Sequence, residues 1–370
     1  MMRSRSRPVL AGLLVSTVGL SCTGGGAGER QAPRPEAGEL AAEWRWEAPA
    51  RASLGMPSAD GDDVAFTYGH LRLAVYTAAG LPRWESERVG LRDVAPLFTP
   101  DLVLAATDDG VTAFDRSEGT EHWHADLGER ANSPVVAAGR AVVSTWEGSL
   151  IALDDEGGRV AWRAPLPGPA VGPAAASADG TVVVTTWEAA DGGAAGVVAV
   201  EAATGRRRWT VALEPGGVSA PAVTSGGVVV LVAGDVAAHG LELATGEARW
   251  RVETGGAGSP EVPPLALDDG AVLVAHRLGG MGLLDGRDGA VRWQAGADAA
   301  AVRGGPAGPG TGGGFALPLD DGRLLLAGPD RPAEILDPPG RVSGVAAGGQ
   351  LLLVATRGAE TNQLVALHGW

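Results

Sequence analysis

A tryptophan that recurs about every forty residues, a few positions after a glycine, constrains the fold of this chain more than any other feature. The clearest copies are residues 198–209 (VAVEAATGRRRW) and 241–250 (LELATGEARW), each an apolar run, a Thr-Gly turn and a tryptophan. Looser copies give successive steps of 39, 39, 47, 41 and 43 residues between Trp84, Trp123, Trp162, Trp209, Trp250 and Trp293. A period near 40 with short apolar runs and glycine turns is typical of a β-propeller.

The pattern within one unit predicts four strands. A proline precedes a short inner strand, a glycine turn follows, and then come a second strand such as 181–185, a third strand and the tryptophan-bearing outer strand. Asp-Gly and Gly-Gly suit tight hairpins because both central residues take positive φ. The continuously apolar second and third strands predict burial on both faces. We expect the tryptophans to pack between neighbouring blades, with the indole N–H near the solvent edge.

The number of second strands predicts the number of blades. The seventh unit lacks one strand and has no tryptophan, so seven full blades and one degraded blade remain an alternative. The last unit has three strands, and residues 43–48 (EWRWEA) read as an orphan outer strand with Trp44 or Trp46 in the repeat position. We predict an all-β, eight-bladed propeller over residues 41–370, closed by pairing of this N-terminal strand with the last blade. The eight second strands lie near Val64, Leu102, Val142, Val182, Val229, Val272, Leu324 and Leu352.

The N-terminus has the composition of a targeting segment. Residues 1–21 combine an arginine-bearing start with an apolar stretch that is too short to span a bilayer, as in a secretory signal peptide. Cys22, the only cysteine, follows at once and resembles the acylated cysteine of a bacterial lipoprotein. An ordinary signal peptide with an incidental cysteine is the alternative. Residues 22–40, rich in Gly, Pro, Ala and Glu, predict a flexible tether. The expected location is the cell envelope, lipid-anchored on the periplasmic side or outer surface of a bacterial membrane.

Charge excludes one class of partner. The formal net charge is −15 and every basic residue other than histidine is arginine, with one cationic run at residues 206–208. Strand alternation places Arg206 and Arg208 on one face of an exposed outer edge. Nucleic-acid binding needs a basic surface to displace phosphate counterions, so we predict no nucleic-acid partner.

The repeated apolar–Ala-Thr-Gly–x–x–x–Trp sequence, with Ser-Pro or Ala-Pro before several inner strands, resembles the PQQ-like (quinoprotein) β-propeller family across the body of the chain. The resemblance implies the fold. For function it implies a choice between quinoprotein dehydrogenases, propeller lipoproteins of the outer-membrane barrel-assembly machinery and other secreted propellers. A lipoprotein signal followed by short blades looks most like the assembly-machinery type.

The resemblance also sets demands that an enzyme would have to meet. Family dehydrogenases bind PQQ and calcium, often beside a disulfide, but this chain has one cysteine and only two asparagines, Asn132 and Asn362. His122 and His124 flank Trp123 on one strand face and lack a third ligand for zinc. We therefore predict no catalytic, cofactor-binding or metal-binding residues, and a monomeric scaffold for protein–protein interaction. A PQQ-dependent dehydrogenase and a ligand-sensing propeller are the alternatives.

Overall fold

The computed structural model describes strands and turns, and no α-helix, in residues 18–19, 37–39, 42–49, 52–69, 72–86, 94–188, 195–213, 217–233, 237–253, 262–275, 281–295, 314–319, 321–328, 333–348 and 351–368. Within these ranges no helix has the length and apolar composition required to cross a membrane. Cys22 and the predicted signal peptide, apart from residues 18–19, lie outside the described residues.

Three N-terminal strands join sheets that are built mainly from later parts of the chain. They are β1 (Val18–Gly19), β2 (Ala37–Glu39) and β3 (Trp44–Glu47). The remaining strands form eight blades, which the chain enters at the inner strand and leaves at the outer edge. The prediction of an eight-bladed propeller is therefore confirmed.

Blades one to three each use four consecutive antiparallel strands. Blade one is β4 (Ser58–Asp60), β5 (Asp63–Tyr68), β6 (Arg72–Thr77) and β7 (Pro82–Ser86). Blade two is β8 (Leu97–Phe98), β9 (Leu102–Ala106), β10 (Gly110–Asp115) and β11 (Glu121–Asp126). Blade three is β12 (Val135–Ala137), β13 (Arg140–Ser144), β14 (Ser149–Asp154) and β15 (Val160–Pro165).

Blades four to six repeat this arrangement, and β1 adds a short parallel strand outside blade five. Blade four is β16 (Ala175–Ala176), β17 (Thr181–Thr186), β18 (Gly196–Glu201) and β19 (Arg207–Ala212). Blade five is β20 (Ala222–Val223), β21 (Val228–Ala233), β22 (Ala237–Glu242) and β23 (Ala248–Glu253). Blade six is β24 (Leu265–Ala266), β25 (Ala271–Ala275), β26 (Met281–Asp285) and β27 (Val291–Ala295).

Blades seven and eight borrow their outer strands from the N-terminus. Blade eight is β31 (Arg341–Gly348), β32 (Leu351–Arg357) and β33 (Asn362–His368), with β3 antiparallel to β33. This pairing is the predicted ring closure. Blade seven is β28 (Phe315–Pro318), β29 (Leu324–Ala327) and β30 (Glu334–Asp337), completed by β2 in parallel pairing with β30. The seventh unit thus lacks its own outer strand, as predicted, but residues 37–39 of the predicted tether take that position.

The hydrophobic cores lie between blades. Second strands such as β17 and β21 are buried at every position, because each presents one face to the blade before it and the other to the blade after it. One core, for example, joins Leu104 of blade two to Val143 and Ile151 of blade three. A single blade could not cover both of its apolar faces, which is why the repeats stack into a ring.

The tryptophan repeat joins each blade to the next through a glycine turn. Trp162 of blade three donates its indole Nε1–H to the carbonyl oxygen of Ala202 in blade four, at 2.7 Å. The same ring covers Gly205, which has φ of +71°, and a Cβ there would lie 2.6 Å from the indole. We call this arrangement the indole–glycine contact. It differs from the expectation that the N–H stays near solvent, because the N–H is used on a carbonyl of the next blade.

Five other tryptophans make the same contact, with indole nitrogen to carbonyl oxygen distances of 2.7 to 3.0 Å. The glycines beneath the six indoles all have φ between +65° and +79°. A side chain at these positions would be both strained and in collision with the ring. The five other pairs are Trp44 with Gly80, Trp84 with Gly119, Trp123 with Gly158, Trp209 with Gly246 and Trp250 with Gly289.

Ring closure uses both tryptophans of β3. Trp44 makes the indole–glycine contact with blade one, where its N–H donates to the Ala78 carbonyl at 2.7 Å. Trp46 packs edge-on against Phe66 and Tyr68, with ring centroids 4.8 and 5.1 Å apart. The N-terminal strand therefore both completes blade eight and holds it against blade one.

Candidate functional site

Two exposed tryptophans outside the repeat mark one end of the propeller. Trp146 follows β13 and Trp187 follows β17, so both lie where a second strand turns toward the third. Their exposed fractions are 46% and 40%, although tryptophan is usually well buried. The connections between blades reach the same end of the molecule, since residues 131 and 170 form bridges to Thr145 and Thr186.

The two tryptophans occupy equivalent positions in neighbouring blades. The backbone N–H of Trp146 donates to the Arg130 carbonyl at 3.2 Å, and that of Trp187 donates to the Pro169 carbonyl at 2.9 Å. Each is preceded by threonine and followed by glutamate, Glu147 in blade three and Glu188 in blade four. We define the indole face as Trp146, Trp187, Arg130, Glu147 and Glu188.

A buried polar network fixes the orientation of Trp146. Its indole Nε1–H donates to Oδ1 of Asn132 at 3.0 Å. Asn132 is 4% exposed, and its Nδ2 donates to Oγ of Ser144 and to the Gly172 carbonyl, both at 3.1 Å. A ring held in this way loses little conformational entropy when a partner covers it.

Charged side chains surround the same tryptophan. The Arg130 guanidinium carbon lies 5.3 Å from the centre of the Trp146 ring, within the range of a cation–π contact. Arg130 also pairs with Glu147, from Nε to Oε1 at 3.1 Å. Glu129 next to it accepts hydrogen bonds from Thr145 and Ser149 and pairs with Arg163. The loop between blades two and three is thereby tied to blade three.

The sequence-derived candidates lie elsewhere. His122 is exposed, whereas His124 is half-buried, with Nδ1 3.0 Å from Thr112 Oγ1 and Nε2 3.7 Å from Asp109 Oδ2. The arginine run is engaged locally: Arg207 donates to the Pro165 carbonyl at 2.9 Å, and Arg208 pairs with Asp179 at 3.2 Å. In the described part of the chain, no group of three or more His, Cys, Asp or Glu side chains is placed to hold a metal ion.

Carboxylates near turns are stabilised in their charged form. Hydrogen bonds from the Ser177 and Thr181 side chains hold the pKa of Asp179 well below its usual range. Hydrogen bonds from Arg287 and then Arg292 do the same for the pKa of Asp285, with nitrogen to Oδ2 distances of 3.0 and 2.8 Å. These groups stay ionised and paired at neutral pH, which is typical of turn and strand-end stabilisation rather than proton transfer.

One repeat tryptophan differs from the others. Trp293 of blade six is 37% exposed, and its ring centroid lies 6.3 Å from that of Phe315 in blade seven. The described residues include no hydrogen bond from its indole to blade seven, whose own turn sequence lacks the Thr-Gly pattern. In the described part of this seam, Trp293 therefore packs against Phe315 instead of making the indole–glycine contact.

The indole face was not evident from the repeat pattern. The signal was present as the tripeptide Thr-Trp-Glu, which occurs at residues 145–147 and again at 186–188, each at the end of a second strand. Both tryptophans lie outside the forty-residue register of the repeat. A tryptophan outside the spacing of the packed tryptophans is therefore the feature that could have revealed an exposed site.

A family model and solved structures resemble this chain in sequence and fold, respectively. The family model described as outer membrane protein assembly factor BamB matches residues 32–169, 107–194 and 147–307, overlapping ranges that together cover most of the propeller. No curated protein matches the chain significantly. The structure of BamB from Moraxella catarrhalis superposes with a TM-score of 0.66 and 16% identity, covering 86% of this chain and 99% of that one.

A second solved structure, that of the computationally designed Ika8 protein, has a TM-score of 0.61 and 14% identity. It covers 86% of this chain and 98% of the designed chain. At these identities the two superpositions establish the propeller fold alone. The family model matches the sequence itself across most of its length, and the chain therefore belongs to the PQQ-like propeller family described as outer membrane protein assembly factor BamB.

Proposed function

We propose that this protein is a non-catalytic scaffold of the cell envelope that binds a protein partner during the assembly of outer-membrane proteins. Membership of the assembly-factor family supports this role. Neither the quinoprotein dehydrogenase nor the ligand-sensing alternative gains support from that match. The protein acts as a monomer, since ring closure by β3 pairs the outer edge of the last blade within the same chain.

The exposed indole pair is the observation that supports docking of the partner at one end of the propeller. Trp146 and Trp187 are large, amphipathic and equivalent in adjacent blades. Tryptophan and arginine are the residues most often found at the energetic centres of protein interfaces. Trp146 is also oriented in advance by Asn132. The indole face therefore has the composition and rigidity of a docking surface.

Site-specific photocrosslinking in cells tests this placement. A photoreactive amino acid at position 146 or 187 should give crosslinks to one discrete protein that mass spectrometry identifies. The matched control is position 160, where Val160 is exposed at 47% on the outer strand of blade three and should give none. Equal crosslinking from all three positions, or none from 146 and 187, would contradict docking on the indole face.

Attachment to the membrane is a separate part of the proposal. Residues 1–21 would be a signal peptide, Cys22 an acylated N-terminus, residues 22–40 a tether whose residues 37–39 pair with blade seven, and residues 41–370 the rest of the propeller. A cysteine at the start of the mature chain would carry lipid that holds the body at a membrane despite its acidity; the full chain has a net charge of −15, and removal of residues 1–21 takes away three arginines and no acidic residue. The Cys22→Ser variant should move from the membrane fraction to the soluble fraction and lose the acyl mass on the N-terminal peptide. An unchanged membrane fraction would refute the anchor without affecting the docking surface.

A further inference from the structure

Blades three and four present the same tryptophan–glutamate pair, but only blade three supplies a cation to it. Arg130 lies against the Trp146 ring at 5.3 Å and pairs with Glu147 at 3.1 Å. The backbone N–H of Arg130 also donates to Glu147 Oε2 at 2.9 Å. In blade three the guanidinium is thus held by the face of the indole and by the carboxylate.

The equivalent position in blade four carries no charge. Pro169 accepts the backbone hydrogen bond of Trp187 just as Arg130 accepts that of Trp146. Trp187 is 40% exposed and Glu188 is exposed as well. Among the described residues, no cationic side chain contacts either of them. Blade four therefore presents the indole and the carboxylate of blade three without the arginine.

We propose that Trp187 and Glu188 bind an arginine side chain of the protein partner, in the position that Arg130 takes in blade three. The inference rests on the proposed function and adds the chemistry of the partner to it. An exposed indole attracts a cation through its negative ring face, and the neighbouring carboxylate adds a charged hydrogen-bond acceptor. The net charge of −15 favours approach of a basic segment.

Fluorine NMR of the full chain labelled with 5-fluorotryptophan tests the site directly. The Trp187 signal is assigned by its absence in Trp187→Phe. Titration with the peptide acetyl-Gly-Arg-Gly-amide should shift that signal in a saturable way, and acetyl-Gly-Gln-Gly-amide should not. Glu188→Gln should weaken binding of the arginine peptide about threefold, the size of an exposed charge contact. Glu147→Gln, the matched control in blade three, should leave it unchanged.

The variant Pro169→Arg supplies a guanidinium from the chain itself. It should abolish the peptide-induced shift of the Trp187 signal, because the added arginine occupies the same place. If this variant does not fold, the Glu188→Gln and Glu147→Gln pair carries the test alone. An equal response to both peptides, or equal affinity in both glutamate variants, would overturn the inference.

The outcomes separate this inference from the proposed function. Crosslinks at positions 146 and 187 without binding of the arginine peptide would leave the docking surface standing and remove the arginine site. Peptide binding at Trp187 without any crosslinked protein would keep the arginine site and contradict the scaffold role on this face.

Discussion

At the scale of single residues, the glycine beneath each indole has two separate roles. It takes a positive φ that ordinary residues adopt only at a cost, and it leaves room for the indole of the preceding blade. Gly205 has both constraints, whereas Gly227, with φ of +73°, has nothing within 4 Å of the Cβ that a side chain would add. The two positions therefore separate backbone strain from collision with the ring.

Substituting alanine at these two glycines should give different losses of stability. Gly227→Ala should lower the free energy of unfolding by about 1–2 kcal/mol, the strain of a left-handed residue. Gly205→Ala should lower it by about 3–4 kcal/mol, because the methyl group also displaces Trp162. Urea unfolding at an unchanged m-value measures both. Equal losses would show that the indole moves aside freely and that the close contact contributes little.

The sequence revealed these residues but not all of their contacts. Periodicity alone identified the six repeat tryptophans and their glycine turns, because strand packing imposes a fixed spacing. It could not show that each indole N–H donates to the following blade, since a spacing does not carry the direction of a hydrogen bond. Trp146 and Trp187 were not predicted as a site, because both lie outside the forty-residue spacing of the repeat.

At the scale of secondary-structure elements, β3 contributes more than one strand to the ring. It pairs with β33, places Trp44 on Gly80 of blade one and places Trp46 among Phe66 and Tyr68. Its loss would expose the edge of blade eight and open the seam with blade one at the same time. Exposed strand edges promote association between molecules.

Truncation at two positions should measure how much β3 contributes to stability. A chain that starts at residue 49 should have a free energy of unfolding at least about 4 kcal/mol lower than one that starts at residue 41, the scale expected for losing two half-buried tryptophans together with a strand pairing. Both chains lack β2, so the comparison isolates β3, and the shorter chain should elute as larger oligomers than the longer chain in size-exclusion chromatography. Coincident urea transitions and elution volumes would mean that closure does not depend on β3.

Blade seven contains a strand pairing that the sequence did not predict. The missing outer strand was evident from the short interval between Asp337 and Gln350. That residues 37–39 pair in parallel with β30 could not be inferred, because a three-residue segment containing glycine has no strand periodicity of its own. Pairings between distant parts of a chain depend on the closed fold rather than on local preference.

At the scale of the whole molecule, the two ends of the chain and the indole face lie on different blades. The strands β2 and β3 complete blades seven and eight, whereas the exposed tryptophans belong to blades three and four. In a ring of eight blades, these two pairs are diametrically opposite. The pairing of β2 and β3 with the seven–eight side therefore leaves the indole face on the far side of the ring, accessible to a partner.

The indole–glycine contact always runs in one direction, from a blade to the one that follows it. In the terms used for oligomers, it is a heterologous interface between repeat units, and here the repeat units belong to one chain. Such head-to-tail interfaces grow into filaments unless their rotation closes them. A fragment whose last blade has an uncovered indole and whose first blade has an uncovered glycine turn would therefore polymerise head to tail. Because eight covalently linked blades close into a ring, growth through this head-to-tail interface ends within one molecule.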